Sequence, residues 1–223
     1  GPRNWDYRYT WIRDATFGLY ALHILGYTQE AKAFKRWLEW STVGRARDLQ
    51  IMYGVGGERR LMEMELTDLR GYRHSRPVRI GNGAYSQFQL DIYGEILDSA
   101  HLYRKYGGEM DSEYWEFLQR VVNFVINHWQ EPDDGIWETR SGRQHFVFSK
   151  VMCWVALDRT VALAESTGRA GPESEGWKRT AYAIKEEVLQ RGLSECKQAS
   201  SSTTIPTLWA PATCSYPSWA SCP

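Results

Sequence analysis

The sequence predicts an all-α fold built from helical hairpins, on two observations. Apolar residues recur at three- and four-residue spacing in six separate segments. The breaks between those segments carry the residues that stop and start helices, among them Gly26, Gly107-Gly108, Asp111 and Pro172. With 223 residues, 43% of them hydrophobic, the chain can bury a sizeable core as one domain or part of a larger one.

Taken in order, the first helix is expected from about Asp14 to Leu25, where Phe17, Ala21, Leu22 and Leu25 share a face and Gly26 closes it. Thr28 suits the N-cap of a second, with Ala31, Phe34 and Leu38, so the two form an antiparallel αα-hairpin. Leu49 to Tyr53 alternates as a strand does, and Gly54-Val55-Gly56-Gly57 can turn it back toward Arg59 to Met62. A short β-hairpin insertion is therefore expected there. Phe88, Ile92, Ile96, Ala100 and Tyr103 mark a third helix, and Asp111 caps a fourth with Tyr114, Leu118, Val121, Val125 and Trp129. A fifth runs from about Phe146 to Ser166, and Pro172 opens a sixth that ends near Arg191. Equal repeats of about 34 residues, the mark of a helical solenoid, are absent.

Between the fourth and fifth helices lies Glu131-Pro132-Asp133-Asp134-Gly135-Ile136-Trp137-Glu138-Thr139-Arg140, which Pro132 and Gly135 keep out of helix. Acidic groups beside an indole can give one carboxyl a raised pKa while another stays ionised, which is how a general acid is made. The same residues also read as a surface turn followed by a solvated carboxylate at a helix start. These residues alone leave both readings open.

Lys plus Arg and Asp plus Glu number 27 each, so no net field draws the chain to nucleic acid or to an anionic membrane. No apolar run of about 18 residues suggests a membrane span. Aromatic residues make up 14% of the chain, suiting a dense core or a cleft for an amphiphilic ligand such as a sugar. The four cysteines, Cys153, Cys196, Cys214 and Cys222, show no paired spacing, so neither a disulfide framework nor a zinc site is expected. The chain begins inside a motif, at Gly1-Pro2-Arg3-Asn4-Trp5-Asp6, and offers no start on which to look for a signal peptide. From Gln198 to Pro223 there is no charged residue. Residues 192–223 are therefore expected to be a disordered tail or the product of a shifted reading frame.

Several motifs occur in order: Asn4-Trp5-Asp6-Tyr7-Arg8-Tyr9-Thr10-Trp11-Ile12-Arg13-Asp14, Leu49-Gln50-Ile51-Met52-Tyr53-Gly54, Gly71-Tyr72-Arg73, Ser75 to Asn82, and Gly135-Ile136-Trp137-Glu138. With these the chain resembles glycoside hydrolase family 15, which contains glucoamylases, glucodextranases and bacterial-type trehalases. The resemblance implies an (α/α)6 toroid, of which residues 1–191 supply about half. It also implies an enzyme that cleaves α-glucosidic bonds with inversion. One carboxylic acid protonates the leaving oxygen while a second carboxylate, roughly 6.5 to 9.5 Å away, activates water.

By motif match the acid is Glu138, and Tyr9, Trp11, Arg13, Asp14 and Trp137 form the glucose subsite. Asp14 can accept and Arg13 donate hydrogen bonds to sugar hydroxyls, and the aromatic rings offer apolar faces. Arg76 and Arg79 either contact substrate or hold their own loop. His145 and Lys150 are read as structural partners of carboxylates, and Trp5 and Trp154 as core. The family's general base lies in the later half of the toroid, and none of Glu165, Glu173, Glu175, Glu186, Glu187 or Glu195 carries its context. The expected substrate is an α-glucan or α-glucoside, cleaved in a glucoamylase-like, exo-acting manner. An α,α-trehalase is one alternative and an inactive half-barrel that binds glucosides another. No cofactor or metal is implied, no oligomeric state can be read, and a cytoplasmic location is the expectation.

Overall fold

A computed structural model describes residues 3–42, 46–138, 142–194 and 199–200. Six helices dominate them: α1 (Ile12–Ile24), α2 (Thr28–Ser41), α3 (Asp91–Lys105), α4 (Ser112–His128), α5 (Val147–Ser166) and α6 (Pro172–Arg191). Odd-numbered helices pack in succession, α1 on α3 and α3 on α5, and each even-numbered helix packs on the odd one before it. Three hairpins arranged in this way make part of an all-α toroid.

The helix ends have local causes. Gly26 takes φ +86° just past α1, a conformation that costs glycine little. The Asp111 carboxylate accepts the Tyr114 N–H at 2.7 Å, satisfying one of the unpaired donors that open α4. Pro172 begins α6, where its missing N–H costs nothing. Thr28 is the first residue of α2 and makes no side-chain cap.

Four two-residue strands lie ahead of α3: β1 (Thr10–Trp11), β2 (Met52–Tyr53), β3 (Met64–Glu65) and β4 (Arg79–Ile80). The expected strand at 49–53 exists, but its partner is β1, with Trp11 opposite Met52. The glycine turn after it still forms, Gly54 N–H donating to the Glu58 carbonyl at 2.9 Å. The β-hairpin insertion is the pair β3–β4 at 64–80, not 49–62. Its Arg79 pairs with Glu65 at 3.0 Å and Glu63 at 3.4 Å and lies 4.6 Å over the Trp5 ring. Arg79 therefore holds its own loop, while Arg76 is exposed. Trp5, expected in the core, is half-buried beneath Arg79, and Trp154 packs against the core as expected.

The core is continuous from Trp11 and Ile12 through Tyr93, Ile96 and Leu97 of α3 to Met152, Cys153 and Leu157 of α5. α3 and α5 touch closely because Gly94 sits against the Met152 backbone, where a Cβ would come within 2.3 Å of its carbonyl oxygen. A last strand pair joins β5 (Leu193–Ser194) to β6 (Ala199–Ser200). Most of the expected tail, including Glu195, Cys196, Cys214 and Cys222, lies outside the described residues. Among the described residues no helix is long and apolar enough to cross a membrane.

Candidate active site

Three chain segments meet where the N-terminal ends of α1 and α3 face the loop ahead of α5. β1 delivers Trp11, and the first turn of α1 delivers Arg13 and Asp14. The loop 131–138 delivers Ile136, Trp137 and Glu138.

That loop is held from below by groups for which the sequence alone also allowed a surface turn. Asp133 is fully buried. Its backbone exchanges hydrogen bonds with Gln144 at 2.9 and 2.8 Å. Its Oδ2 accepts the Leu90 N–H at 2.9 Å and the Ser149 hydroxyl at 2.7 Å. Burial pushes the Asp133 carboxyl up to about 6, against those two donors. Asp134 continues the anchoring: its N–H donates to the Phe88 carbonyl at 2.8 Å, and its Oδ2 accepts the Phe88 N–H at 2.7 Å. Lys150, also fully buried, donates from Nζ to the Trp129 and Glu131 carbonyls. Its role is structural, as expected, and it is spent on holding these backbone carbonyls. Gly135 turns the chain at φ +66° with Phe146 packed against it.

Beyond that turn Glu138 takes φ +53°, which an ordinary residue adopts only where its surroundings hold it. The Trp11 indole N–H donates to Glu138 Oε1 at 2.7 Å. Burial is the largest influence on this carboxyl and raises its pKa. The Trp11 hydrogen bond and the Arg13 charge act against that rise, and Asp14 and Asp91 add to it. Glu138 is therefore a half-buried carboxyl displaced toward its protonated form, the opposite of the solvated turn carboxylate that the residues alone also allowed.

Glu138 and Trp137 stand between two hollows. One, of about 580 Å³, is lined by Tyr7, Tyr9, Trp11, Arg13, Asp14 and Trp137 among others, and so gathers every residue nominated from the sequence. The other, of about 920 Å³, is lined by Arg3, Trp5, Glu63, Asn82 and Gln87 and shares Tyr7, Trp137 and Glu138 with the first. A larger groove of about 1200 Å³ beside α4 contains none of the nominated residues. Within the first hollow Asp14 and Trp137 are exposed. Tyr9 offers its ring, because its hydroxyl already donates to Asp6 Oδ2 at 2.9 Å and receives the Gly81 N–H at 3.0 Å.

Sequence reasoning missed Asp6, Asp91 and Asp133, the buried carboxylates that position the segments. Asp6 accepts from Arg8 Nε and Nη2, each at 2.8 Å, which holds its carboxyl far below the usual range. No signal in the sequence separates these three from surface acids, since their burial depends on what folds over them. Among the described residues, Asp14 and Glu63 are the other carboxylates lining the two hollows. Glu165, Glu175 and Glu187 pair with Lys178, Lys178 and Arg191. No group of three or more His, Cys, Asp or Glu able to hold a metal occurs among the described residues.

The chain matches the family model "Glycosyl hydrolases family 15" over residues 1–213. It is 50% identical over 196 residues to the trehalase of Mycobacterium tuberculosis, a match covering 86% of this chain and 29% of that protein. Against the trehalase of Thermoplasma volcanium identity is 40% over 192 residues, covering 86% and 30%. Against trehalase 2 of Sulfolobus acidocaldarius it is 35% over 201 residues, covering 86% and 34%. The chain spans about a third of the length of these relatives. No solved structure matches it.

Proposed function

Because the chain belongs to glycosyl hydrolase family 15, we propose that it is part of an inverting α-glucoside hydrolase that cleaves α,α-trehalose, with Glu138 as proton donor. The carrying observation is the Trp11–Glu138 hydrogen bond at 2.7 Å, which fixes a carboxyl of raised pKa between two sugar-sized hollows. In this reading the terminal glucose occupies the hollow lined by Tyr9, Trp11, Arg13, Asp14 and Trp137. The leaving sugar occupies the one lined by Trp5, Glu63 and Gln87. Glu138 then delivers its proton to the oxygen between them, while a second carboxylate activates water on the opposite face of the ring.

Trehalose joins two glucose units through both anomeric carbons, so the leaving group is itself one glucose. The glucoamylase-like ordering expected from the sequence gives way here, because the curated relatives carry the name trehalase. A cytoplasmic location belongs to the same proposal and rests on the bacterial-type family resemblance and the lack of a paired cysteine spacing.

The test is glucose release from trehalose, maltose and soluble starch by the 223-residue chain. The Mycolicibacterium smegmatis trehalase, 50% identical over 198 residues, is assayed beside it. Trehalose cleaved ahead of the other two, with activity reduced about 10²- to 10⁴-fold by Glu138→Gln, supports the reading. Maltose or starch cleaved in preference restores the glucoamylase. A chain that binds trehalose but releases no glucose is the half-barrel binder.

A further inference from the structure

Arg13 reads from the sequence as a sugar ligand, yet its guanidinium is engaged on two edges by protein. Nη1 donates to Asp91 Oδ2 at 2.7 Å and to Gln89 Oε1 at 3.2 Å, and Nη2 donates to the Ile136 carbonyl at 3.3 Å. Asp91 is the first residue of α3 and fully buried, and the Arg13 side chain is 15% exposed. A buried ion pair adds little net stability, because desolvation offsets most of its attraction. What it supplies is direction: the planar fork is held at one edge by the packed start of α3 and aims its other edge at one peptide. That peptide lies two residues before Glu138, whose positive φ must be maintained from outside.

We propose that Asp91, with Gln89 beside it, is a positioning residue for the proton donor. It fixes the Arg13 guanidinium, Arg13 fixes the Ile136 peptide, and that peptide sets where Glu138 presents its carboxyl. Trp11 holds the same carboxyl from the α1 side, so the acid is gripped at both its backbone and its side chain. The inference rests on the reading of Glu138 as the acid.

The charged groups facing Glu138 are Arg13 and Asp14 from α1 and Asp91 from α3, with Arg3 and Glu63 across the second hollow. Neutralising Asp91 removes an anion that opposes ionisation of Glu138 and also releases Arg13. The first effect acts downward on the Glu138 titration, and the second changes how firmly the Arg13 charge is held beside it.

The experiment compares Asp91→Asn with Asp98→Asn in the full chain, following the Glu138 carboxyl by ¹³C NMR titration with Glu138→Gln for assignment. Asp98 lies on the same helix, accepts from Arg159 Nε at 2.6 Å and lines neither hollow, so it reports structural loss alone. Asp91→Asn is expected to move the Glu138 midpoint down by about half a pH unit, and Asp98→Asn to leave it unchanged. Gln89→Met keeps every charge and loosens Arg13, so a shift there comes from the placement of Arg13 alone and decides the matter where Asp91→Asn does not fold.

In turnover of trehalose, kcat falls about 10²-fold in Asp91→Asn with KM within a few-fold, and the alkaline limb moves to lower pH. Added to Arg13→Lys, the same substitution costs nothing further. A Glu138 midpoint unmoved in folded Asp91→Asn or Gln89→Met overturns the inference, as does additivity with Arg13→Lys. Absence of glucose release from every α-glucoside by the unsubstituted chain points to the inactive half-barrel instead, and the titration still decides the network.

Discussion

Glu138 shows how a single side chain is made into an acid by contacts from elsewhere in the chain. Trp11 lies 127 residues away, yet its indole N–H supplies the contact that favours the charged form of the carboxyl. In Trp11→Phe that donor is gone while burial remains, so the Glu138 pKa rises. A general acid must be protonated to act, and a higher pKa keeps it protonated further into alkaline solution. The alkaline limb of the pH–rate profile for trehalose is expected to move up by roughly one pH unit, with kcat reduced by the looser carboxyl. The nominated residues were legible in the sequence because Trp-x-Arg-Asp and Gly-Ile-Trp-Glu are unusual combinations matching one family in order. Asp91 was not, since an aspartate ahead of an apolar helical stripe reads as a dipole-favoured surface group until Arg13 is packed on it.

Between elements, the α1–α3 contact contains a buried acid that no motif announces. Thr16 Oγ1 lies 2.7 Å from both the Arg13 carbonyl and Glu95 Oε2. A hydroxyl has one hydrogen, and a carbonyl can only accept it, so the second contact is completed if the Glu95 carboxyl donates. Burial, the largest influence, pushes Glu95 up to about 8. In the unfolded chain this group ionises near the ordinary 4.5, so between about pH 4.5 and 8 the folded form holds a proton that the unfolded form has lost. Stability from this group is fully present below pH 4.5 and declines as pH rises toward 8. Glu95→Gln, which is permanently neutral and can still donate to Thr16, is expected to flatten that decline. It should stabilise the chain by a few kcal/mol at pH 8 and by little at pH 4, read from urea unfolding at both.

The loop ahead of α5 makes a second element-scale test. Gly135→Ala places a Cβ 2.6 Å from the Phe146 ring at φ +66°. It should cost about 1–3 kcal/mol, lower the melting temperature by several degrees and disturb Glu138 three residues on. The helices were legible here because a 3.6-residue period survives in any amphipathic helix. The partner of Met52–Tyr53 was not, because a two-residue strand has no pattern that names Thr10–Trp11 over the nearer Arg59–Met62.

At the scale of the whole molecule, the successive packing of α1, α3 and α5 gives α1 one odd-numbered neighbour, α3, among the described residues. α1 accordingly exposes Phe17, Tyr20 and Ile24, which lie three and four residues apart on one face, with Leu25 and Tyr27 just beyond. No described helix other than α2 and α3 packs on α1 extensively. A contiguous apolar strip of this kind is unusual on a monomer and promotes association. The purified chain is therefore expected to form soluble oligomers or precipitate at tens of micromolar. Tyr20→Lys combined with Ile24→Lys should shift it toward monomer without altering the Glu138 titration, since neither residue lines a hollow. Light scattering after size exclusion reads both states. A monodisperse monomer for the unsubstituted chain, unchanged by the two lysines, would show that the strip does not drive association.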